Sequence, residues 1–203
     1  MGVTSATSAV PLQRIGVFGG AFDPPHNVHV ALAHTAIDTL ALDRLLIVPT
    51  GDAWHKSRPL SPAADRLAMC RLAFAGMPKA LADDRELQRD GPTYTIDTLT
   101  ELRADQPNAQ LFLLIGADQA AAFHSWRRAQ DIVDIAIICI AARADSAGAA
   151  IALDAENPLP GLRVVRGRVR MLPLPPLPHS ATEVRRRAAA GLAINHLVAP
   201  AVA

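Results

Sequence analysis

Four short runs of this chain are apolar at every position: Ile15-Gly16-Val17-Phe18, Leu45-Leu46-Ile47-Val48, Leu111-Phe112-Leu113-Leu114-Ile115 and Ala136-Ile137-Ile138-Cys139-Ile140. A strand with one face in water alternates apolar and polar residues. Runs without that alternation belong to strands covered on both faces. Helical patterning fills the segments between them: 29–42, 63–75, 95–103, and 118–133 in two pieces. Parallel strands need long crossover connections, and helices supply them while covering both sheet faces. The expected fold is α/β, a doubly wound, mainly parallel sheet with a C-terminal helical segment. Ligands of such sheets bind outside the carboxyl ends of the strands.

Composition narrows the function classes. Half of the 203 residues are apolar, enough for a core, and the length suits one domain. A net charge of +1 argues against bulk binding of nucleic acid. The longest strongly apolar run, residues 135–142, is far too short to span a bilayer. Cys70 and Cys139 lie far apart in apolar runs and read as buried free thiols of a reducing compartment. The expectation is a cytoplasmic protein with no membrane or nucleic-acid partner; self-association stays open. Residues 1–13 are small and polar and read as a disordered extension ahead of one domain over 14–203. Residues 144–161 read as a mobile loop, and the prolines at 173, 175, 176 and 178 as an extended connector.

Chemistry first concentrates after the first apolar run, in Gly19-Gly20-Ala21-Phe22-Asp23-Pro24-Pro25-His26-Asn27-Val28-His29. Two glycines without Cβ let a phosphate approach the backbone. The helix that follows offers unpaired N–H groups and the positive end of its dipole. His26 and His29 are three apart and face one way on a helical turn. Together they read as a phosphate cradle with two imidazole donors. A second anion site is legible in Ser180-Ala181-Thr182-Glu183-Val184-Arg185, where a capping box opens a helix beside two hydroxyls and a guanidinium. The bland alternative is a capped helix with a solvated basic face. Trp126, after a strand-end loop, is a π surface for a cationic ring or else a core residue. Tyr94 and Thr95 precede a helix and offer backbone N–H groups to a carboxylate, although Thr95 equally suits a plain N-cap. Asp118 suits ribose hydroxyls or, again, a cap.

The first string resembles the G-G-x-F-D-P-x-H-x-G-H signature of the nucleotidyltransferase superfamily, with Ala21 where Thr or Ser is usual and Val28 where Gly is usual. The second resembles the I-S-x-T-x-I-R motif of the same superfamily, with His179 in place of Ile. Between them, Asp84-Arg85-Glu86-Leu87, Gly91-Pro92-Thr93-Tyr94-Thr95-Ile96-Asp97-Thr98-Leu99, Phe112-Leu113-Leu114-Ile115-Gly116-Ala117-Asp118 and Phe123-His124-Ser125-Trp126 resemble segments of bacterial nicotinate-nucleotide adenylyltransferases. These matches run from residue 14 to about 187.

The resemblance implies a Rossmann-like nucleotidyltransferase fold. It implies transfer of an adenylyl group from ATP to nicotinate mononucleotide in NAD biosynthesis, giving nicotinate adenine dinucleotide and pyrophosphate. It implies Mg²⁺ carried by ATP and no metal held by the protein. Catalytic roles fall to His26, His29 and Arg185. ATP contacts fall to Gly19, Gly20, Phe22, His26, His29, Gly116, Ser180, Thr182 and Arg185. Substrate contacts fall to His55, Lys56, Tyr94, Thr95, Asp118, Trp126 and Arg143; Trp54 stands where a proline is usual before His55. Two rivals remain. One is another adenylyl or cytidylyltransferase of the same fold. The other is a metal-dependent hydrolase using His26 and His29, whose spacing and lack of an intervening acid suit zinc poorly.

Overall fold

The computed structural model describes residues 12–51, 59–141, 154, 157–174 and 180–203. Six strands form one sheet: β1 (Arg14–Gly20), β2 (Arg44–Pro49), β3 (Ala80–Ala82), β4 (Gln110–Gly116), β5 (Ala136–Ala141) and β6 (Val169–Leu172). Their order is β3-β2-β1-β4-β5-β6 and every pairing is parallel. Strand order therefore reverses between β1 and β4, where a doubly wound sheet opens a crevice at its carboxyl edge. The helices are α1 (Asn27–Thr39), α2 (Ala63–Phe74), α3 (Thr95–Asp105), α4 (Ala117–Ala121), α5 (Ala129–Ile135) and α6 (Ala181–Ala189). Among the described residues, no helix is long and apolar enough to cross a membrane.

The four apolar runs are the four interior strands, and their uniformity has a direct cause. Ile15, Val17, Leu46, Val48, Leu111, Leu113, Ile115, Ile138 and Ile140 face one core, beneath α3, α4 and α5. Phe18, Leu45, Ile47, Phe112, Leu114, Ile137 and Cys139 face the other, beneath α1 and α2. Side chains alternate across a strand, and here both alternating sets are buried. Gly16 lets Leu42 and Leu45 pack close against β1, since a Cβ would sit 2.6 Å from Leu42 Cδ1 and 2.7 Å from Leu45 Cδ1 and would push those side chains aside.

The edges depart from the sequence expectation. β3 is three residues long and leaves Leu81 46% exposed; β6 leaves Met171 50% exposed. Edge strands bury less, so neither carries the continuous apolar signature, although residues 162–174 are basic and β-prone. The first helix begins at Asn27, two residues before the patterning suggests, because His26 caps it. It stops at Thr39 because Ala41 turns left-handed, at φ 47°. The Leu42 N–H then closes on the Ile37 carbonyl at 3.0 Å, a Schellman closure that satisfies a terminal carbonyl and buries Leu42. Both cysteines are buried free thiols, and burial pushes each up to about 12.

Candidate active site

The carboxyl end of β1 is the starting point. Gly19 is exposed, and a Cβ placed on it would meet nothing within 4 Å, so the backbone there is open to a ligand. The chain then turns at Phe22, whose φ of 46° is unusual for a bulky residue. Packing holds it: the buried Phe22 ring meets Phe18 edge-on at 5.3 Å, Phe74 at 6.3 Å and His29 at 5.1 Å. Sequence reasoning placed Phe22 against ATP. In the fold it is a core residue that supports His29 from below.

His26 is also buried and caps α1 with extended backbone, φ −136° and ψ 173°. Its N–H donates to Nδ1 of His29 at 3.1 Å, and the two rings stack with centroids 3.8 Å apart. A nitrogen that accepts carries no proton, so the neutral His29 ring is the tautomer protonated at Nε2. Backbone capping thereby sets the donor end of His29.

The turn is pinned by a residue that sequence reasoning missed. Arg66, on the inner face of α2, is only 2% exposed. It donates from Nε to the Ser61 carbonyl at 3.0 Å and from Nη1 to the Ala21 carbonyl at 3.0 Å. Burial lowers its pKa, and the neighbouring Asp23 carboxylate opposes that shift. Asp23 is itself buried and accepts from the Ser61 N–H at 3.3 Å. The signal was present: Arg66, Cys70, Ala73 and Phe74 share one buried helix face, so the arginine sits at an inward position.

The second motif arrives from the far end of the chain. Ser180 caps α6, its Oγ accepting from the Glu183 N–H at 3.3 Å. Arg185 reaches 162 residues back in sequence and donates from Nη1 to the Asp23 carbonyl at 2.6 Å; its Nη2 donates to Thr182 Oγ1 at 3.1 Å. Beside it, Asn27 donates from Nδ2 to the His196 carbonyl at 3.0 Å and from its backbone to the Leu197 carbonyl at 2.8 Å. The hydroxyls and guanidinium of α6 thus stand against the turn that carries the histidines. Glu183, partly exposed and bonded to Arg186 on the same helix, is held below the usual carboxylate range by that contact.

On the other side of Gly19, Gly20 and Ala21 lies a cavity of about 740 Å³ at the β1–β4 crevice. Asp118 and Trp126 line it, with Tyr94 and Thr95 at the start of α3. The first-turn N–H groups of a helix lack intrahelical acceptors and suit an anion there. Trp126 is half-buried and leans on Phe123 at 4.8 Å. Arg127 lies over the Tyr94 ring at 4.5 Å and also lines the space. Gly116 sits beneath Asp118, where a Cβ would fall 2.5 Å from Asp118 Oδ1, so its lack of a side chain serves that carboxylate. Glu86, 8% exposed, completes the wall with Thr50, Thr93 and Thr98. Burial raises the Glu86 pKa, against opposing pulls from the Thr98 hydroxyl and Arg89.

The fold therefore gathers Gly19, Gly20, Tyr94, Thr95, Asp118 and Trp126 around one cavity. It sets His26, His29, Phe22, Ser180, Thr182 and Arg185 around the adjoining turn. His55, Lys56 and Arg143 lie outside the described residues, as do Trp54 and His179. Among the described residues, no group of three or more His, Cys, Asp or Glu side chains gathers as a metal site.

Comparison with known proteins bears on the family and the fold. The family model described as cytidylyltransferase-like matches residues 17–187. The probable nicotinate-nucleotide adenylyltransferase of Albidiferax ferrireducens is 51% identical over 192 residues, covering 95% of this chain and 94% of its own. That of Methylibium petroleiphilum is 39% identical, covering 94% and 86%. The solved Plasmodium falciparum nicotinic acid mononucleotide adenylyltransferase complexed with NaAD superposes with a TM-score of 0.69 over 93% of this chain and 91% of that one. At 18% identity that likeness speaks for the fold alone.

Proposed function

This chain belongs to the cytidylyltransferase-like family, and we propose that it transfers the adenylyl group of ATP to nicotinate mononucleotide, as its bacterial relatives are named for doing. The 5′-phosphate of the mononucleotide attacks the α-phosphorus in line, and pyrophosphate leaves. A phosphate dianion is already a nucleophile, so neither a general base nor a covalent enzyme intermediate is needed. Catalysis is positioning plus stabilisation of charge.

The observation that carries this reading is the meeting of two anion sites, one on each side of Asp23, next to a cavity with an aromatic wall. In this reading the triphosphate lies against Gly19, the Nε2 edge of His29 and the α6 start with Ser180, Thr182 and Arg185. His26 acts from beneath by fixing His29. The pyridinium stacks on Trp126, the ribose hydroxyls meet Asp118, and the nicotinate carboxylate takes the Tyr94 and Thr95 N–H groups. Mg²⁺ enters as the ATP complex, bound mainly by phosphate oxygens and water. The hydroxyl, imidazole and guanidinium groups around the turn fit a triphosphate that brings its own cation.

The test is pyrophosphate release from ATP with either mononucleotide. A carboxylate pairs both oxygens with two N–H donors. An amide turns its own NH₂ toward one of them, and an unpaired buried donor costs about 1–3 kcal/mol. We expect kcat/KM for nicotinate mononucleotide to exceed that for nicotinamide mononucleotide by at least roughly tenfold. Equal values would overturn the pocket assignment.

A further inference from the structure

Glu86 is a buried carboxyl in the wall of the cavity, and apolar packing there would be cheaper than a carboxylate. Its surroundings explain its presence. Thr98, from α3, donates its hydroxyl to Glu86 Oε1 at 2.7 Å and accepts from Arg89 Nη1 at 2.9 Å. Thr50, just after β2, and Thr93, just before α3, pair their hydroxyls at 3.0 Å, which uses one proton and leaves the other for Glu86, whose pKa the pair pulls down. Gly51 closes the arrangement: a Cβ there would overlap the Glu86 carbonyl and sit 2.9 Å from Thr93 Cγ2. One carboxylate thus gathers three threonines from three segments, all of them lining the cavity.

We propose that Glu86 is a positioning residue for the pyridine mononucleotide: its ionised carboxylate orients the Thr50–Thr93–Thr98 wall and, through it, the start of α3. The proposal rests on the function given above. An ionised carboxylate only accepts, so each hydroxyl that contacts it must point its hydrogen inward. Thr98 gives its single proton to Glu86 while Arg89 donates to its oxygen, so its orientation is held from both sides. Protonation puts a donor on Glu86, and a hydroxyl of the Thr50–Thr93 pair that meets it must turn its own hydrogen away. That pair borders Tyr94 and Thr95, whose N–H groups are the proposed carboxylate donors.

The charges around Glu86 allow the ionised form to persist. Arg89 lies behind Thr98 and is itself paired to Glu101 of α3 at 2.6 Å. Neighbouring Arg85 turns away to Asp83 at 2.9 Å and toward Glu101 and Asp105. Asp118 and Arg127 are the other charged groups among the described lining residues. Burial still raises the Glu86 pKa. Binding should therefore weaken on acidification above the range in which an exposed glutamate titrates. The sign for stability is opposite. A carboxyl whose folded pKa is raised favours folding more as it becomes protonated, so a neutral replacement does not lose stability on this account.

The test compares the full-length protein with Glu86→Gln, which keeps the shape, cannot ionise and offers one acceptor fewer. KM for nicotinate mononucleotide should rise about tenfold. KM for ATP should stay within about twofold and the neutral-pH Tm should not fall. The acid limb of kcat/KM that belongs to Glu86 should vanish, and Glu86→Asp should restore part of it. An unchanged KM with an unchanged acid limb would overturn the proposal. A fall in Tm with equal losses toward both substrates would reduce Glu86 to a structural role and equally overturn it. Absence of turnover in the unmodified protein would instead sink the functional reading. In that case the Glu86 carboxyl resonance in ¹³C NMR, followed against pH with and without nicotinate mononucleotide, decides: ligand must lower its titration midpoint, and no change refutes the proposal.

Discussion

The two sides of Gly19 are built by different means. On the cavity side, a side-chain network of one carboxylate and three hydroxyls links segments within 48 residues of one another, from Thr50 to Thr98. On the phosphate side, guanidinium and amide groups grip backbone carbonyls: Arg66 on Ala21 and Ser61, Arg185 on Asp23, Asn27 on His196. Side chains that grip backbone fix the path of the chain and are indifferent to what its own side chains read. Side chains that grip one another fix hydrogen-bond polarity, and polarity discriminates one ring substituent from another. The phosphate side is thus suited to a group common to every nucleotide, and the cavity to one particular base.

Substitutions can break that division. The largest effect belongs to Arg66→Ala. It strips the phosphate side of its pin, orphans the part-buried Ala21 and Ser61 carbonyls and removes a cation near buried Asp23, at a cost of about 3–5 kcal/mol, readable as a lower midpoint in denaturant unfolding. A loss of under about 1 kcal/mol would mean the turn holds its path without the guanidinium. Next is His29→Ala, which removes the donor we propose for the reacting phosphates but little core. We expect kcat to fall roughly 10²-fold for either mononucleotide, with KM for the mononucleotide nearly unchanged and a folded circular-dichroism spectrum. Smallest is Trp126→Ala on the cavity side. Loss of stacking on a cationic ring should raise KM for both mononucleotides by about 3- to 30-fold, leaving kcat and the KM for ATP close to normal. If His29→Ala acted through KM and Trp126→Ala through kcat, the two sides would not divide the work in this way.

What was legible in the sequence follows the same physics. Interior strands announced themselves because both faces are buried, so Ile47 and Val48 are apolar alike. The edges β3 and β6 stayed hidden because exposure removes that signature. The turn after β1 and the capped start of α6 could be read because glycines, prolines and a capping box have local meaning. Arg66 sat at an inward helix position and was passed over, and the burial of Glu86 was not legible, because a charged residue in a helix or loop reads as solvated until its neighbours are known. Phe22 was legible as part of the turn and misread in its direction: its left-handed φ points the ring into the core, below His29. The pairing of Asp23 with Arg185 needed the fold itself, since no sequence pattern spans 162 residues.

That long reach makes the order of synthesis matter. All five residues from Gly19 to Asp23 leave the ribosome early, and the sheet through β5 contains only residues up to Ala141. The carbonyl of Asp23 and the amide of Asn27 nevertheless wait for Arg185, His196 and Leu197 before their contacts exist. A nascent chain can therefore bury most of its apolar surface while its phosphate side is still open. Closing the longest loop comes last and costs only slightly more entropy than closing a shorter one, because that cost grows with the logarithm of length. The core up to β5 and the contacts that complete the turn thus draw on different stretches of the chain, and a copy cut short before Arg185 lacks the second of these.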